Sequence, residues 1–520
     1  MGTPKPILVT GATGYVGGRL VPLLRAAGYR VRAMGRSLEK LADRSWARDP
    51  GVELAAGDTL DAQSLGRAAA GCRAAYYLVH SMIAQKGRYA EADRISARHM
   101  VQAAAAAGLE RIIYLSGLGD PRDPAVSRHL RSRHEVEDIL RAGPVPVTVL
   151  RAAMILGSGS ASFEMLRYLV DRLPVMVTPR WVNTPCQPIS ISSVLHYLKG
   201  CLDLDAALGE TFDIGDPEVL TYRQLIDIYA GEAGLPSRRV FALPVLTPTL
   251  SAYWIHLVTP VPAAIAQPLA QGLAVPVVCR DRRIRDLLPH QAPTARETIR
   301  LALRRQRQDA VVTCWSDAGC LRPPEWAVCG DAPWAGGTLY RCGYRIRLRA
   351  APEALWDLVV RMGGRQGYYF ADGLWYLRGL IDRVAGGVGL RRGRRHPCDL
   401  RVGDALDFWR VLELSAPRRL RLLAEMKTPG PALLEIRVAD RGDGTSELTL
   451  LSHFEPRGLW GLVYWYGLYP FHELIFYGML KALARRARAP WVEGPRRFTP
   501  RLPAACELGR STADAGKGRG

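Results

Sequence analysis

Two alternating periods of apolar and polar positions organise the first 150 residues. Ile7-Leu-Val-Thr10 runs straight into Gly11-x-x-Gly14-x-x-Gly17, and Val16, Leu20, Leu23, Leu24 and Ala27 then recur at helical spacing up to Gly28. A short apolar run bounded by glycine and followed by a 3.6-residue period predicts a buried strand that turns sharply into a helix. Pro22 falls inside that helix and would cost it a hydrogen bond. The rhythm repeats, with strands predicted at Tyr29–Met34, Val52–Asp58, Ala74–Val79, Arg111–Leu115 and Val147–Arg151. Between them lie a helix capped by Asp61 and closed at Gly71, one from about Ala90 to Ala107 stopped by Gly108, and one from about His134 to Ala142. Six strand–helix alternations predict a doubly wound parallel α/β sheet with helices on both faces.

The pattern changes in the second half. Leu339–Leu348 alternates as a half-buried strand, and Ala351-Pro-Glu353 opens a helix through Leu355, Trp356, Leu358 and Val359. Strands follow at 405–413, 418–426, 432–439 and 446–454, separated by Pro417, Pro429-Gly-Pro431 and Asp443-Gly444. Leu459–Ala487 is a long aromatic-rich helix whose inner face is expected to be Trp460, Val463, Tyr464, Ile475, Phe476, Met479 and Leu480. Strand, helix, meander and long helix make an α+β plan in which a sheet curls around the last helix. The residues after Pro490, rich in Pro, Arg, Gly and Ser, are expected to be disordered.

The chemistry lies in the turns. A helix N-terminus reached through Gly-x-x-Gly-x-x-Gly presents backbone N–H groups and a partial positive charge, a seat for a pyrophosphate. Gly11 permits the tight turn, Gly14 lets a ligand approach the backbone, and Gly17 lets helix and strand pack closely. An acidic residue at the end of the second strand would hold a ribose 2′-hydroxyl. Arg36 stands there instead and points to a 2′-phosphate, hence NADP(H), with NAD(H) the alternative. Asp58 falls where an adenine could be contacted. Ligands on such sheets lie beyond the carboxyl ends of the strands, where Gly14, Arg36, Asp58, His80, Ser116 and Ala153 all fall.

The segments TGATGYVGG, RAMGR, GD, YYLVHS, IIYLSG and TVLRAAMILG resemble the atypical, extended-type short-chain dehydrogenase/reductase family over about residues 5–305. The resemblance implies a Rossmann domain (1–308) whose substrate-side subdomain spans about 155–300, through Gln187-Pro-Ile189 and Leu220-Thr-Tyr222. It also implies cofactor contacts from Gly11, Ala12, Thr13, Gly14, Tyr15, Val16, Gly17, Arg36, Asp58, Thr59, Leu78, Val79, His80 and Ala153. Active members of the family use a serine with Tyr-x-x-x-Lys. Ser116 matches the serine, but the other two positions hold His129 and Arg133. Histidine exchanges protons near neutrality, whereas arginine supplies charge and cannot act as a base. The segments GGRQGYY, GGVGLRRGRR, GDALDFWRV and YPFHELIFYGML resemble a domain of unknown function (DUF2867-like) over 338–488. The order of its elements resembles the helix-grip (START-like) fold, which implies an apolar ligand cavity.

The chain has 520 residues, enough for two or three domains, and a net charge of +21. The excess is arginine spread along the sequence, which argues against nucleic acid and fits phosphate-bearing cofactors or an anionic membrane surface. Ten cysteines without a C-x-x-C pair, and no signal peptide ahead of the first strand, predict reduced thiols in the cytoplasm and no metal centre. Arg239 and Arg280 bracket a proline-broken stretch without Asp, Glu, Lys or Arg. Its prolines leave no piece near the ~20 residues of a membrane span; it reads as a pocket wall, or as a patch touching membrane or partner. Residues 309–337, with Trp315, Trp326 and Trp334, read as a linker, and Arg391–His396 as a basic loop able to meet phosphate head groups. The leading expectation is an NADP(H)-linked oxidoreductase acting on a hydrophobic carbonyl, alcohol or quinone-like compound. The alternatives are a sensor or assembly factor resembling an NADPH-holding accessory subunit of respiratory complex I, and a lipid-binding protein.

Overall fold

Ile7–Thr10 (β1), three apolar residues and a threonine, all buried, is an interior strand of a parallel sheet. The computed structural model describes residues 4–79, 89–120, 122–124, 126–243, 271–307, 339–389, 394–456 and 458–498. These fall into two compact units, one within Met1–Cys320 and one within Leu321–Gly520.

In the first unit the strands are β1, β2 (Val31–Gly35), β3 (Val52–Ala56), β4 (Ala74–Tyr77), β5 (Arg111–Gly117), β6 (Val147–Ala152) and β7 (Thr211–Ile214). They hydrogen-bond in the order β7-β6-β5-β4-β1-β2-β3, all parallel. This is the doubly wound order with one added strand, and its switch point lies between β1 and β4. Helices α1 (Gly17–Ala26), α2 (Leu38–Ala42), α3 (Ala62–Ala69), α4 (Tyr89–Ala107) and α5 (Arg128–Arg141) make the crossovers. Asp61 caps α3 through Gln63 N–H. Among the described residues the unit also has helices α6 (Ala161–Arg172), α7 (Ile191–Gly200), α8 (Tyr222–Ala233), α9 (Arg283–Leu287) and α10 (Ala295–Arg307).

The proline inside α1 has a partner. Residue 22 would donate its N–H to the Gly18 carbonyl, but proline has none. The indole Nε1–H of Trp46, a buried side chain, donates to that carbonyl at 3.1 Å instead. Two sequence boundaries also move. β5 continues through Ser116 and Gly117, and α5 begins six residues before His134, because Ser127 caps it by accepting from Leu130 N–H at 3.3 Å.

The second unit is an antiparallel sheet of β8 (Tyr340–Leu348), β9 (Ala405–Leu406), β10 (Trp409–Ser415), β11 (Arg419–Ala424), β12 (Ala432–Asp440), β13 (Ser446–Phe454) and β14 (Trp491–Phe498), in the order β9-β10-β11-β12-β13-β8-β14. Helices α11 (Pro352–Val360), α12 (Asp372–Val384) and α13 (Gly458–Arg486) accompany it, and α13 lies against β8, β13 and β14. The rings of Tyr368, Trp375, Phe408 and Trp409 pack against one another at its core, with Tyr368 and Phe408 stacked.

Two expectations are corrected here. The tail is not disordered from residue 489: Trp491–Phe498 pairs with β8, which would otherwise be a bare edge, and Phe498 packs over Gly343. The inner face of α13 is also different from the one anticipated. Ile475, Phe476, Met479 and Leu480 are buried, but Trp460 and Val463 face solvent and Trp465 points inward. The expected linker, 309–337, lies outside the described residues, as do Arg391, Arg392 and most of the uncharged stretch before Arg280.

Candidate functional site

The glycine turn is built by close backbone approach. Thr10 Oγ1 donates to Tyr76 O at 2.9 Å and accepts from Leu78 N–H at 3.1 Å, which ties the ends of β1 and β4 together. Gly11 has φ +68°, and a Cβ there would stand 3.0 Å from Leu78 O. A Cβ on Gly17 would lie 2.9 Å from the Gly11 carbonyl carbon and closer still to its oxygen, so only glycine lets α1 start against the turn. Gly14 N–H donates to Gly11 O at 2.9 Å, and Ala12 N–H donates to Met34 O at 3.2 Å. No side chain caps the first turn of α1, and no acidic residue occupies it. Such an end favours an anion. Tyr15 leads away from the turn with its ring 4.4 Å from the Arg19 guanidinium and its hydroxyl against Gly157. Val16 packs on the core beneath.

On the β2–β3 side Arg36 is exposed directly after the strand. A second arginine, Arg44, sits at the same corner and donates to Thr13 O at 3.0 Å. Sequence reasoning missed it, because it follows the short α2 and no motif marks it. Asp58 holds Leu60 N–H at 3.0 Å, while Thr59 bonds to Ser96 Oγ at 3.0 Å and its carbonyl to His99 Nδ1 at 2.9 Å. Leu78 and Val79 are half-buried at the exit of β4, and His80 lies outside the described residues.

On the other side of the switch point, Ser116 is 5% exposed and its Oγ makes no hydrogen bond among the described residues. Register places it beside Arg151 and places Gly117 beside Ala152, so Ala153 follows at the same edge. His129 and Arg133 lie one turn apart on α5. Burial, and then the Arg133 charge, push the His129 imidazole down to about 3. The expectation that His129 exchanges protons near neutrality is therefore corrected: it is a neutral hydrogen-bonding group at physiological pH. Burial opposes the Arg133 charge, but Tyr114 and Asp93 outweigh it and hold the guanidinium firmly cationic. Arg133 reaches the Tyr114 hydroxyl at 3.4 Å, and burial keeps that phenol protonated.

Behind this edge opens a cavity of about 600 Å³. Gly117, His129 and Ala153 are among its lining residues, together with Met165, Leu166 and Leu169 of α6, strand Val175–Pro179, and Leu225 and Ile226 of α8. Among the described residues no lining side chain carries a formal charge, and Ser162, Thr178, Trp181, Tyr222 and His129 supply the polar atoms. Gly272, Leu273 and Val277, from the described end of the uncharged stretch, also line it. The α6 wall left no signal in the sequence, since apolar helix positions look alike whether they face a core or a ligand.

The edge can thus seat an anion at α1, a cationic Arg133 and an unsatisfied serine hydroxyl beside an apolar chamber. Among the described residues no cluster of His, Cys, Asp or Glu could hold a metal, and no helix is long and apolar enough to cross a membrane. Residues 3–250 match the NmrA-like family, and residues 334–479 match a family of proteins of unknown function (DUF2867). A ceramide reductase of Caulobacter vibrioides is 28% identical over 298 residues, which is 51% of this chain and 88% of the relative. A (4-alkanoyl-5-oxo-2,5-dihydrofuran-3-yl)methyl phosphate reductase of Streptomyces griseus is 28% identical over 239 residues, 45% of this chain and 75% of that one. Triphenylmethane reductase of a Citrobacter species, a solved structure, aligns at 21% identity and a TM-score of 0.46 over 57% of this chain and 99% of its own.

Proposed function

The chain joins an NmrA-like domain, of the atypical short-chain dehydrogenase/reductase type, to a DUF2867 domain, and on that premise we propose that it is an NADP(H)-dependent reductase of hydrophobic carbonyl compounds. The observation that carries this reading is the uncharged 600 Å³ cavity meeting the sheet edge at Gly117, His129 and Ala153. A chamber without formal charge rejects anionic substrates, because a buried unpaired carboxylate or phosphate is costly. It gains instead from burying an alkyl chain. Two of the curated relatives the chain resembles are named as reductases, and the one named for ceramide supports a lipid-like substrate.

The residues divide the work as follows. Gly11, Gly14 and Gly17, with the backbone of Ala12, Thr13, Tyr15 and Val16, would hold the diphosphate. Arg36, seconded by Arg44, would meet the 2′-phosphate, and Asp58 and Thr59 the adenine, with Leu78 and Val79 beneath. NADPH, when bound, supplies the hydride, and the proton that completes the alcohol is drawn from solvent. The unsatisfied Ser116 hydroxyl would donate to the substrate oxygen, and neutral His129 would add a second hydrogen bond that orients and polarises it. Arg133 would bind the ribose and lend positive charge as the oxygen gains electron density.

The test is NADPH consumption with long-chain aldehydes, ketones and quinones. The rate should rise with alkyl length, and Leu166→Trp should raise KM for long substrates while leaving short ones little changed. Absence of turnover with every carbonyl tried overturns the reading. The lack of Tyr-x-x-x-Lys, with a neutral histidine in the tyrosine position, favours a second reading in which NADPH is held without turnover. Tight NADPH binding combined with a harmless His129→Ala would select it.

A further inference from the structure

In water a helix buries one face and shows polar residues on the other. Two helices of the second unit break that rule. Along α13, Leu459, Val463, Tyr466, Pro470, Leu474 and Tyr477 are exposed and recur every three or four residues, a stripe running about five turns with exposed Trp460 beside its start. The opposite face, with Trp465, Ile475, Phe476 and Met479, is in the core. On α12, Tyr376, Leu377, Leu380, Ile381 and Val384 form a second exposed stripe. Trp460 and Val384 are 78% and 82% exposed. The two helices touch through Arg378, whose guanidinium meets the Tyr464 hydroxyl at 3.3 Å, so the stripes lie on neighbouring helices of one unit.

Among the described residues, cations stand around this surface and the carboxylates near it are engaged by protein groups. Lys427 reaches the end of α12 by donating to Ala385 O at 2.7 Å, and Arg383 lies in the last turn of that helix. Lys481 stands over the Tyr477 ring at the end of the α13 stripe. The acidic groups nearby are committed: Asp382 is buried and accepts from Gly389 and Lys427 N–H groups, Asp372 accepts from Tyr368 N–H, and Glu473 pairs with Arg497.

We propose that this face docks on an anionic lipid bilayer, with α12 and the first turns of α13 lying in the interface. Trp and Tyr with aliphatic neighbours suit the boundary between head groups and acyl chains, and rim cations meet lipid phosphates. Neither helix is long and apolar enough to cross a membrane, so the chain lies on it. A two-fold self-interface fits worse, since it would set these cations near their own copies without an acidic partner. Docking here stands independently of the reductase reading, because it needs neither cofactor nor substrate.

The full chain should co-sediment with vesicles of phosphatidylcholine mixed with phosphatidylglycerol, weakly with phosphatidylcholine alone, and less in high salt. Leu377→Glu with Ile381→Glu, or Trp460→Glu with Val463→Glu, should weaken vesicle binding by about tenfold or more. These positions are exposed, so the melting temperature should hold, and Lys427→Glu should weaken binding without touching the apolar stripe. Failure of the unaltered chain to bind anionic vesicles overturns the proposal. So does binding by the glutamate variants equal to the parent, or a dimer in solution that the Leu377→Glu, Ile381→Glu variant splits.

Discussion

Trp46→Phe probes the start of α1, the helix that carries the glycine turn. The Gly18 carbonyl is buried and cannot receive an N–H from Pro22, so the indole bond at 3.1 Å is the donor that replaces it. Phenylalanine keeps an aromatic ring in the 7% exposed site but removes the N–H. An orphaned buried acceptor costs ~1–3 kcal/mol, and the smaller ring adds up to ~1 kcal/mol. The decisive comparison adds Pro22→Ala, which returns a backbone N–H to Gly18. In that background Trp46→Phe should cost only the packing share, a coupling of ~1–2 kcal/mol between residues 22 and 46. Amide exchange of peptides covering α1, read in the full chain, converts protection into a local free energy and avoids assuming two-state unfolding of a two-unit protein. Equal costs of Trp46→Phe in the parent chain and in the Pro22→Ala background would refute the account.

Five further outcomes are expected. Gly17→Ala should force α1 off the turn and weaken NADPH binding in a fluorescence titration by ~10-fold or more, whereas Gly66→Ala, with open space around its Cβ in α3, should raise stability by ~0.5–1 kcal/mol; unchanged NADPH affinity in Gly17→Ala counts against the pyrophosphate seat. With His129 held near 3, the kcat/KM profile should show no histidine inflection between pH 5 and 8, and one near 6.5 that His129→Asn removes would refute its neutrality. Burial likewise lowers His472 to about 4, below an unfolded value of ~6.5, so the unfolded chain binds the extra proton: stability is kept above pH ~6.5 and lost as pH falls toward 4, and His472→Gln should flatten that loss in melting curves. Glu137→Ala removes a carboxylate, 4% exposed, that Arg151 grips through two bonds at 3.0 and 2.8 Å, and should cost ~3 kcal/mol in the amide-exchange protection of peptides covering α5; a loss under ~1 kcal/mol would show the pair to be dispensable.

What could be read from the sequence followed the strength of local rules. The glycine turn, the parallel strands and their exits were legible because a glycine spacing and a short apolar run each admit few structures. The start of α5 was not, since Ser127 competes with several plausible capping residues, and this one choice decides that His129 and Arg133 share a helix. The chamber walls were illegible for a related reason: Met165 and Leu166 would be written identically in a solid core. The C-terminal strand was hidden by Pro, Arg and Gly, which argue for disorder one residue at a time. Here they are outweighed by the hydrogen bonds an unpaired β8 edge offers to Trp491–Phe498. On α13 the apolar residues occupy every face, so periodicity had no polar side with which to choose an orientation. The core selects Trp465, Ile475 and Met479, and Trp460 and Val463 are left outside. Among the described residues of its own unit, an apolar surplus of this kind has no packing role. If the glutamate variants at 377 and 381 or at 460 and 463 keep their melting temperature and lose only vesicle binding, the surplus belongs to an interface and not to folding.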